Sequence, residues 1–132
     1  MTIFSKIING TIPSYKIAED ERFVAFLDAF PLRRGHVLVV PREEIDRLFD
    51  LPEELLRELL VFARPIAKAI EQEFDCNRCG IEVMGLEVPH AHVHLIPINE
   101  ANDLNFTQPK LKLEEAEMKA IQQRLVARLQ AS

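Results

Sequence analysis

The sequence predicts an α+β domain, an approximately five-stranded antiparallel sheet with a central helix and a C-terminal helix. Three observations lead there. Compact runs rich in β-branched and aromatic residues, Phe23–Leu27 and His36–Val40, lie close together with turn-forming residues between them. Apolar residues between positions 55 and 70 recur at three- and four-residue steps, the period of a helix with one buried stripe. From Val88 to Pro97, His90, His92 and His94 alternate with Ala91, Val93 and Leu95, the period of a strand whose two faces differ in chemistry.

Taken in order, Ile3 to Ile8 is a short apolar segment closed by the turn pair Asn9-Gly10. Pro13 starts an extended piece, Tyr15 to Ala18, and Glu19-Asp20-Glu21 turns the chain. Phe23–Leu27 is a strand, Asp28 to Gly35 a loop, and His36–Val40 a strand stopped by Pro41. Short connections between extended elements indicate antiparallel pairing. A helix follows, with Asp50 as N-cap and Pro52, Glu53 and Glu54 in its first turn, where acids suit the dipole. Leu55, Leu56, Leu59, Leu60, Ala63, Ile66, Ala67 and Ile70 form its stripe, and Pro65 should kink it near residues 61–65 by removing a backbone hydrogen bond. Gly80–Met84 is the next strand, Gly85 a turn, and Val88–Ile96 the histidine strand, with Pro89 and Pro97 at its ends because proline fits a strand interior badly. Residues 99–112 look irregular, and Leu113–Gln130 carries a second helical pattern through Leu113, Ala116, Ile121, Leu125 and Leu129.

Read as a strand, the histidine segment puts three imidazoles on one face, roughly 6.5–7 Å apart. Packing alone explains this poorly, since each buried ring needs hydrogen-bond partners. Two chemical readings stay open: a metal-binding face, or phosphoryl or nucleotidyl transfer with a histidine nucleophile.

The 132 residues form one domain, with a core over residues 2–98 and a C-terminal extension and helix over 99–132. A net charge of −5 argues against general affinity for nucleic acid or acidic membrane surface. No apolar run approaches the about 18 residues of a membrane span, and the start of the chain lacks the layout of a signal peptide, so a cytoplasmic protein is expected. Cys76 and Cys79 form a single CxxC with no second pair to complete a zinc site, and read as free thiols. A sheet this small is expected to complete its burial by forming a homodimer.

The alternating run His90-Ala91-His92-Val93-His94 resembles the signature of the histidine triad (HIT) family. Residues 3–13, Phe26-Leu27-Asp28, Pro31, and Gly35-His36-Val37-Leu38-Val39-Val40-Pro41-Arg42 are similar to the family's opening and middle blocks, in the same order. The resemblance implies a HIT-like fold and hydrolysis or transfer at the α-phosphate of adenosine phosphoramidates or dinucleoside polyphosphates, through a nucleotidyl-histidine intermediate. It assigns His92 as nucleophile, His90 as its support, and His94 and His36 to phosphate binding and proton handling. A purine nucleotide or nucleotidyl conjugate would be held by Asp28 at the ribose, by an apolar slot of Ile3, Phe4, Ile7, Phe26 and Leu38 at the base, and by the Gly85 turn near the phosphate. No cofactor is implied for catalysis.

Two departures from the family pattern stand out. Many members hold a structural zinc through an N-terminal CxxC and a later histidine; this chain has Thr2, Ser5 and Glu44 there. Hydroxyls are poor zinc ligands, so no structural zinc is expected. Before the triad, where relatives carry a Gly-Gln-Ser/Thr step, this chain has Gly85-Leu86-Glu87, which places a carboxylate near a bound anion.

Overall fold

The computed structural model describes residues 1–131. A short helix, α1 (Ile3–Ile8), precedes three strands, β1 (Lys16–Glu19), β2 (Phe23–Leu27) and β3 (Val37–Pro41). The long helix α2 (Glu53–Glu73) leads to β4 (Arg78–Glu82) and β5 (Val93–Ile98), and α3 (Glu115–Ala131) closes the described chain. The five strands make one antiparallel sheet in the order β1-β2-β3-β5-β4.

The central strands explain the asymmetry of the fold. All five residues of β2 and all five of β3 are buried, so these strands read as continuous apolar runs. Phe23, Ala25, Leu27, Val37, Val39, Val93 and Leu95 pack against Leu59, Ala63, Ile66, Ala69 and Ile70 of α2 and Met118, Ile121 and Leu125 of α3. The opposite face carries a smaller cluster of Val24, Phe26, Leu38 and Val40, closed by Phe4 of α1.

Several local expectations are corrected. Ile3–Ile8 is helical, because Thr2 caps it by accepting the Ser5 N–H at 3.1 Å. Asp50 does not cap α2: it ends a 3-10 turn at Leu48–Asp50, and Pro52 occupies the cap position. The ring of Pro52 disfavours helical geometry at Leu51, which is extended at φ −63° and ψ 144°. Leu60 is 59% exposed and Ala69 takes its place in the stripe; on α3, Met118 is buried and Ala116 is not.

The histidine strand is shorter than its pattern. Pairing with β3 begins at Val39 opposite Val93, so only His94 lies in the ladder. Upstream, the Ala91 N–H donates to the Ile45 carbonyl and the Pro41 carbonyl is taken by the His90 ring, so loop groups replace the ladder bonds. Pro97, by contrast, sits inside β5 opposite Cys79. The Ile98 carbonyl faces β4, where it accepts the Asn77 N–H, so the Pro97 nitrogen faces the other side, where β3 pairing has ended at Leu95. No ladder bond is lost there.

Gly35 opens β3 with φ +95°, and a Cβ added there would lie 2.6 Å from the Phe74 ring. Gly35→Ala is therefore expected to destabilise the fold by about 2–4 kcal/mol, combining left-handed backbone strain with overpacking. Urea unfolding checks this; a midpoint equal to that of the parent would contradict it.

Candidate active site

His94 lies in β5 opposite Leu38 of β3 and Glu82 of β4. His36 immediately precedes β3, and His90 and His92 lie in the segment entering β5. The rings of His92 and His94 stay side by side with centroids 5.0 Å apart, and His36 joins them 5.1 Å from His94. His90 diverges: its ring packs edge-on to Phe4 at 5.9 Å and bonds away from the other three. The three triad rings therefore do not converge on a common point, and a metal face made from them is not formed. Among the described residues, Asp28, His36 and His94 do bring donor atoms within 4.8 Å of one another, but the His36 Nε2 is committed to the His94 Nδ1 at 2.9 Å.

The four histidines are between 0% and 7% exposed, so their ring nitrogens depend on protein partners, and backbone groups fix the tautomers. The Leu32 N–H donates to the His36 Nδ1 at 3.1 Å, which leaves the His36 proton on Nε2. That proton goes to the His94 Nδ1, so His94 carries its own on Nε2. The His92 Nδ1–H donates to the His90 carbonyl at 2.6 Å, which leaves the His92 Nε2 with a free lone pair. The His90 Nε2–H donates to the Pro41 carbonyl at 2.8 Å, and its Nδ1 accepts from the Thr2 hydroxyl at 2.8 Å. A lone pair on His92 thus sits beside an N–H donor on His94.

Burial favours the neutral forms of His36, His92 and His94. Burial pushes His36 down to about 3, helped by the positive potential of His94, Lys110 and His92. Burial likewise lowers His94 to about 3, with His92 and Lys110 adding to it. His92 is lowered by burial, against an opposing effect of its bond to the His90 carbonyl and of Glu87. Asp28 is raised by burial, partly countered by the Phe30 N–H that its Oδ1 accepts at 2.9 Å. Its Oδ2 lies 3.6 Å from the His36 Nε2.

Around the rings, Phe4 packs edge-on to His92 at 4.9 Å and to Phe26 at 5.6 Å. Phe4, Phe26 and Leu38 share one buried cluster with Ile7 at its margin, whereas Ile3 is 50% exposed and outside it. Gly85, at φ +69°, and Leu86 and Glu87 after it are exposed. The charge of Glu87 adds to the raised value of Asp28 and opposes the lowering of His92.

Three further residues reach the site without a sequence signal. Phe106 packs 4.7 Å from the His94 ring and 6.1 Å from that of His36. Lys110 donates to the Phe106 carbonyl at 2.7 Å and stands over its ring at 5.3 Å. Glu82 lies across from His94 with its Oε2 buried and without a hydrogen-bond partner. Phe106 and Lys110 come from a stretch without periodicity, where nothing marks an inward-facing residue; Glu82 follows only once the β4–β5 register is known.

Thr2, Ser5 and Glu44 do come together. The Ser5 hydroxyl donates to the Glu44 Oε1 at 2.7 Å, and the Thr2 N–H donates to the same oxygen at 2.6 Å. These two bonds hold the Glu44 carboxyl down to about 2. The set of two hydroxyls and a carboxylate does not suit zinc, and its atoms already satisfy one another. Cys76 and Cys79 are free thiols remote from this cluster in sequence, and burial pushes Cys79 up to about 12.

A HIT domain model matches residues 9–101 of the chain. Protein hit of Bacillus subtilis is 41% identical over 101 residues, covering 72% of this chain and 69% of its own length. Adenosine 5'-monophosphoramidase of Saccharomyces cerevisiae is 33% identical over 132 residues, covering 98% of this chain and 84% of its own. A zinc-bound histidine triad family protein from Mycobacterium smegmatis superposes with a TM-score of 0.81 at 27% identity, covering 98% of this chain and 93% of that one. With its four histidines oriented as described, its five-stranded antiparallel sheet and these relatives, the chain belongs to the HIT domain family.

Proposed function

We propose that the protein hydrolyses or transfers at the α-phosphate of adenosine phosphoramidates, with His92 as nucleophile. The observation that carries this is the pairing of tautomers: a bare His92 Nε2 beside the His94 Nε2–H. In the first step the His92 Nε2 bonds to phosphorus and the bond to the leaving group breaks, giving a nucleotidyl-imidazole whose positive charge is shared with the Nδ1–H held by His90. The His94 N–H, backed by His36, donates a hydrogen bond to the phosphate, and the leaving nitrogen takes up a proton from solvent and departs as the amine. Water then attacks phosphorus and gives a proton back to solvent, the P–N bond to His92 breaks with its electron pair returning to Nε2, and the nucleoside monophosphate leaves. Buried N–H groups supply the stabilisation, so the chemistry needs no divalent metal.

Asp28 is the acceptor for the ribose hydroxyls, Phe4, Ile7, Phe26 and Leu38 form the slot for the base, with the exposed Ile3 outside their cluster, and the Gly85 turn serves the phosphate side. The choice of phosphoramidates over dinucleoside polyphosphates rests on Glu87, whose charge reaches the site, and on the monophosphoramidase from S. cerevisiae aligning with 98% of this chain. Turnover of an adenosine phosphoramidate, a dinucleoside triphosphate and a tetraphosphate, measured beside AMP binding, tests this. The phosphoramidate should be turned over fastest. AMP binding without turnover of any of the three would instead identify a nucleotide-binding module.

Glu87→Ser should raise kcat/KM for the polyphosphates about tenfold more than for the phosphoramidate, because a like charge is removed from near a polyanion. Equal changes for both classes would show that Glu87 does not contribute to selectivity.

We also propose a homodimer through β4. This edge strand exposes Ile81 (47%), and Val83 (45%) beyond it, beside Leu60 (59%) and Val61 (49%) of α2. A bare strand edge flanked by apolar surface is a template for a second copy. Light scattering should give twice the chain mass, and Ile81→Glu with Leu60→Glu should give the monomer; a monomeric parent would refute the interface. No helix among the described residues is long and apolar enough to cross a membrane.

A further inference from the structure

We propose that Thr2, held by Ser5 and Glu44, is a positioning residue that fixes the ring of His90 and, through the His90 carbonyl, the tautomer of His92, in place of a metal. This rests on the reading of His92 as nucleophile.

The geometry leaves the His90 ring little choice. It is fully buried, and its Nε2–H is committed to the Pro41 carbonyl. The Nδ1 lone pair then needs a donor, since a buried ring nitrogen without one is costly. The Thr2 Oγ1 lies at 2.8 Å and the Ser5 Oγ at 3.5 Å. Directionality selects Thr2. The Glu44 carboxylate only accepts, so the Ser5 proton points to it and the Thr2 N–H does the same. The Thr2 Oγ1 accepts the Ser5 N–H at 3.1 Å, so its own proton is free for His90 at 2.8 Å or for the Ser5 Oγ at 3.3 Å, and the shorter bond takes it.

One ring is thereby pinned at both nitrogens, by the cap of α1 and by the end of β3, and Glu44 from the loop after β3 holds the Thr2–Ser5 cap in place. The residue so pinned offers its carbonyl to the His92 Nδ1–H at 2.6 Å. The His90 carbonyl shares its peptide plane with the Ala91 N–H, which donates to the Ile45 carbonyl at 2.7 Å; when the ring loses its Thr2 anchor, the His90–Ala91 segment shifts as a unit and the His92 lone pair no longer has a fixed direction. In-line attack tolerates little misalignment. The same cluster explains how the fold holds His90 with residues that do not suit zinc.

The test uses the full chain with an adenosine phosphoramidate, together with ¹⁵N NMR of the imidazoles. Thr2→Val should lower kcat about tenfold or more with KM within about twofold, the signature of misplacement rather than lost binding. It should also shift the ¹⁵N signals of His90 and His92, whereas Thr2→Ser should restore kcat to within about threefold because the hydroxyl returns. Glu44→Gln should give a smaller loss in kcat. Chelator should leave the parent's kcat unchanged. The proposal is overturned if folded Thr2→Val keeps parental kcat and ¹⁵N signals, if Thr2→Ser is as slow as Thr2→Val, or if chelator abolishes activity and zinc restores it. If the parent turns over nothing, the reading of the reaction fails, while the His90 signals in Thr2→Val still decide whether Thr2 holds the ring.

Discussion

His92→Ala is expected to lower turnover of an adenosine phosphoramidate on the order of 10⁴-fold or more, because it removes the atom that forms the bond to phosphorus. AMP binding should survive within a few-fold, since Asp28 is held by the Phe30 N–H and Phe4, although it loses its contact with the imidazole, stays packed on Phe26 in the cluster with Leu38. His36→Gln and His94→Gln should cost less, since each supplies a hydrogen bond rather than the nucleophile. Acidity sharpens the prediction. Burial holds His92 below its usual value, so the acid limb of kcat should fall below pH 6.5, where an exposed imidazole would already be half protonated. Kinetics across pH and a titration with AMP check both statements. Near-parental turnover in His92→Ala would remove the nucleophile from the account.

Stability is expected to fall steeply on acidification from pH 6.5 to pH 3, and His36 and His94 are the main cause. Both are held neutral down to about 3 in the fold, whereas in the unfolded chain they take up protons near 6.5. Above 6.5 both states are neutral and neither ring contributes a pH dependence. Between 6.5 and 3 the unfolded state binds more protons, so lowering pH favours unfolding by up to about 1.4 kcal/mol per pH unit for each ring. Glu44, held at about 2, acts in the same direction below pH 4.5. Urea midpoints between pH 7 and pH 4 should show the loss, and His94→Gln should make it shallower, whatever it does to stability at neutral pH. An unchanged slope in that variant would mean that the ring is not held neutral by burial.

The fold was legible where a single requirement governed a segment. Phe23–Leu27 is apolar throughout because both its faces are covered, and its strand matches its pattern residue for residue. The stripe on α2 was mostly readable for the same reason. Its exception, Leu60, faces solvent in the single chain beside the β4 edge, a surface that intrachain periodicity cannot distinguish from core. The histidine run misled in one respect. Alternation suggested three equivalent positions on a strand, but the backbone of His90 and Ala91 bonds to loops, and His90 turns to Thr2 and Pro41.

The candidate site was legible as far as its local motif extended. His36 meets His94, whose other neighbour is His92, and Asp28 lies beside His36. Phe106 and Lys110 could not be foreseen, because a loop residue that folds back over a ring has no periodic neighbour to announce it. In sequence, Thr2, Ser5 and Glu44 read only as poor zinc ligands. That they form a connected set of hydrogen bonds depends on residues about 40 and 90 positions apart meeting across the sheet.

The covalent intermediate tests the central claim most directly. Protein mixed with phosphoramidate labelled at the α-phosphate should be quenched within the first turnover and digested. The account predicts label on the peptide carrying His92, stable in base and released by acid as expected for a phosphoramidate bond, and no label in His92→Ala. Turnover without any protein-bound label, or label unchanged in His92→Ala, would contradict it.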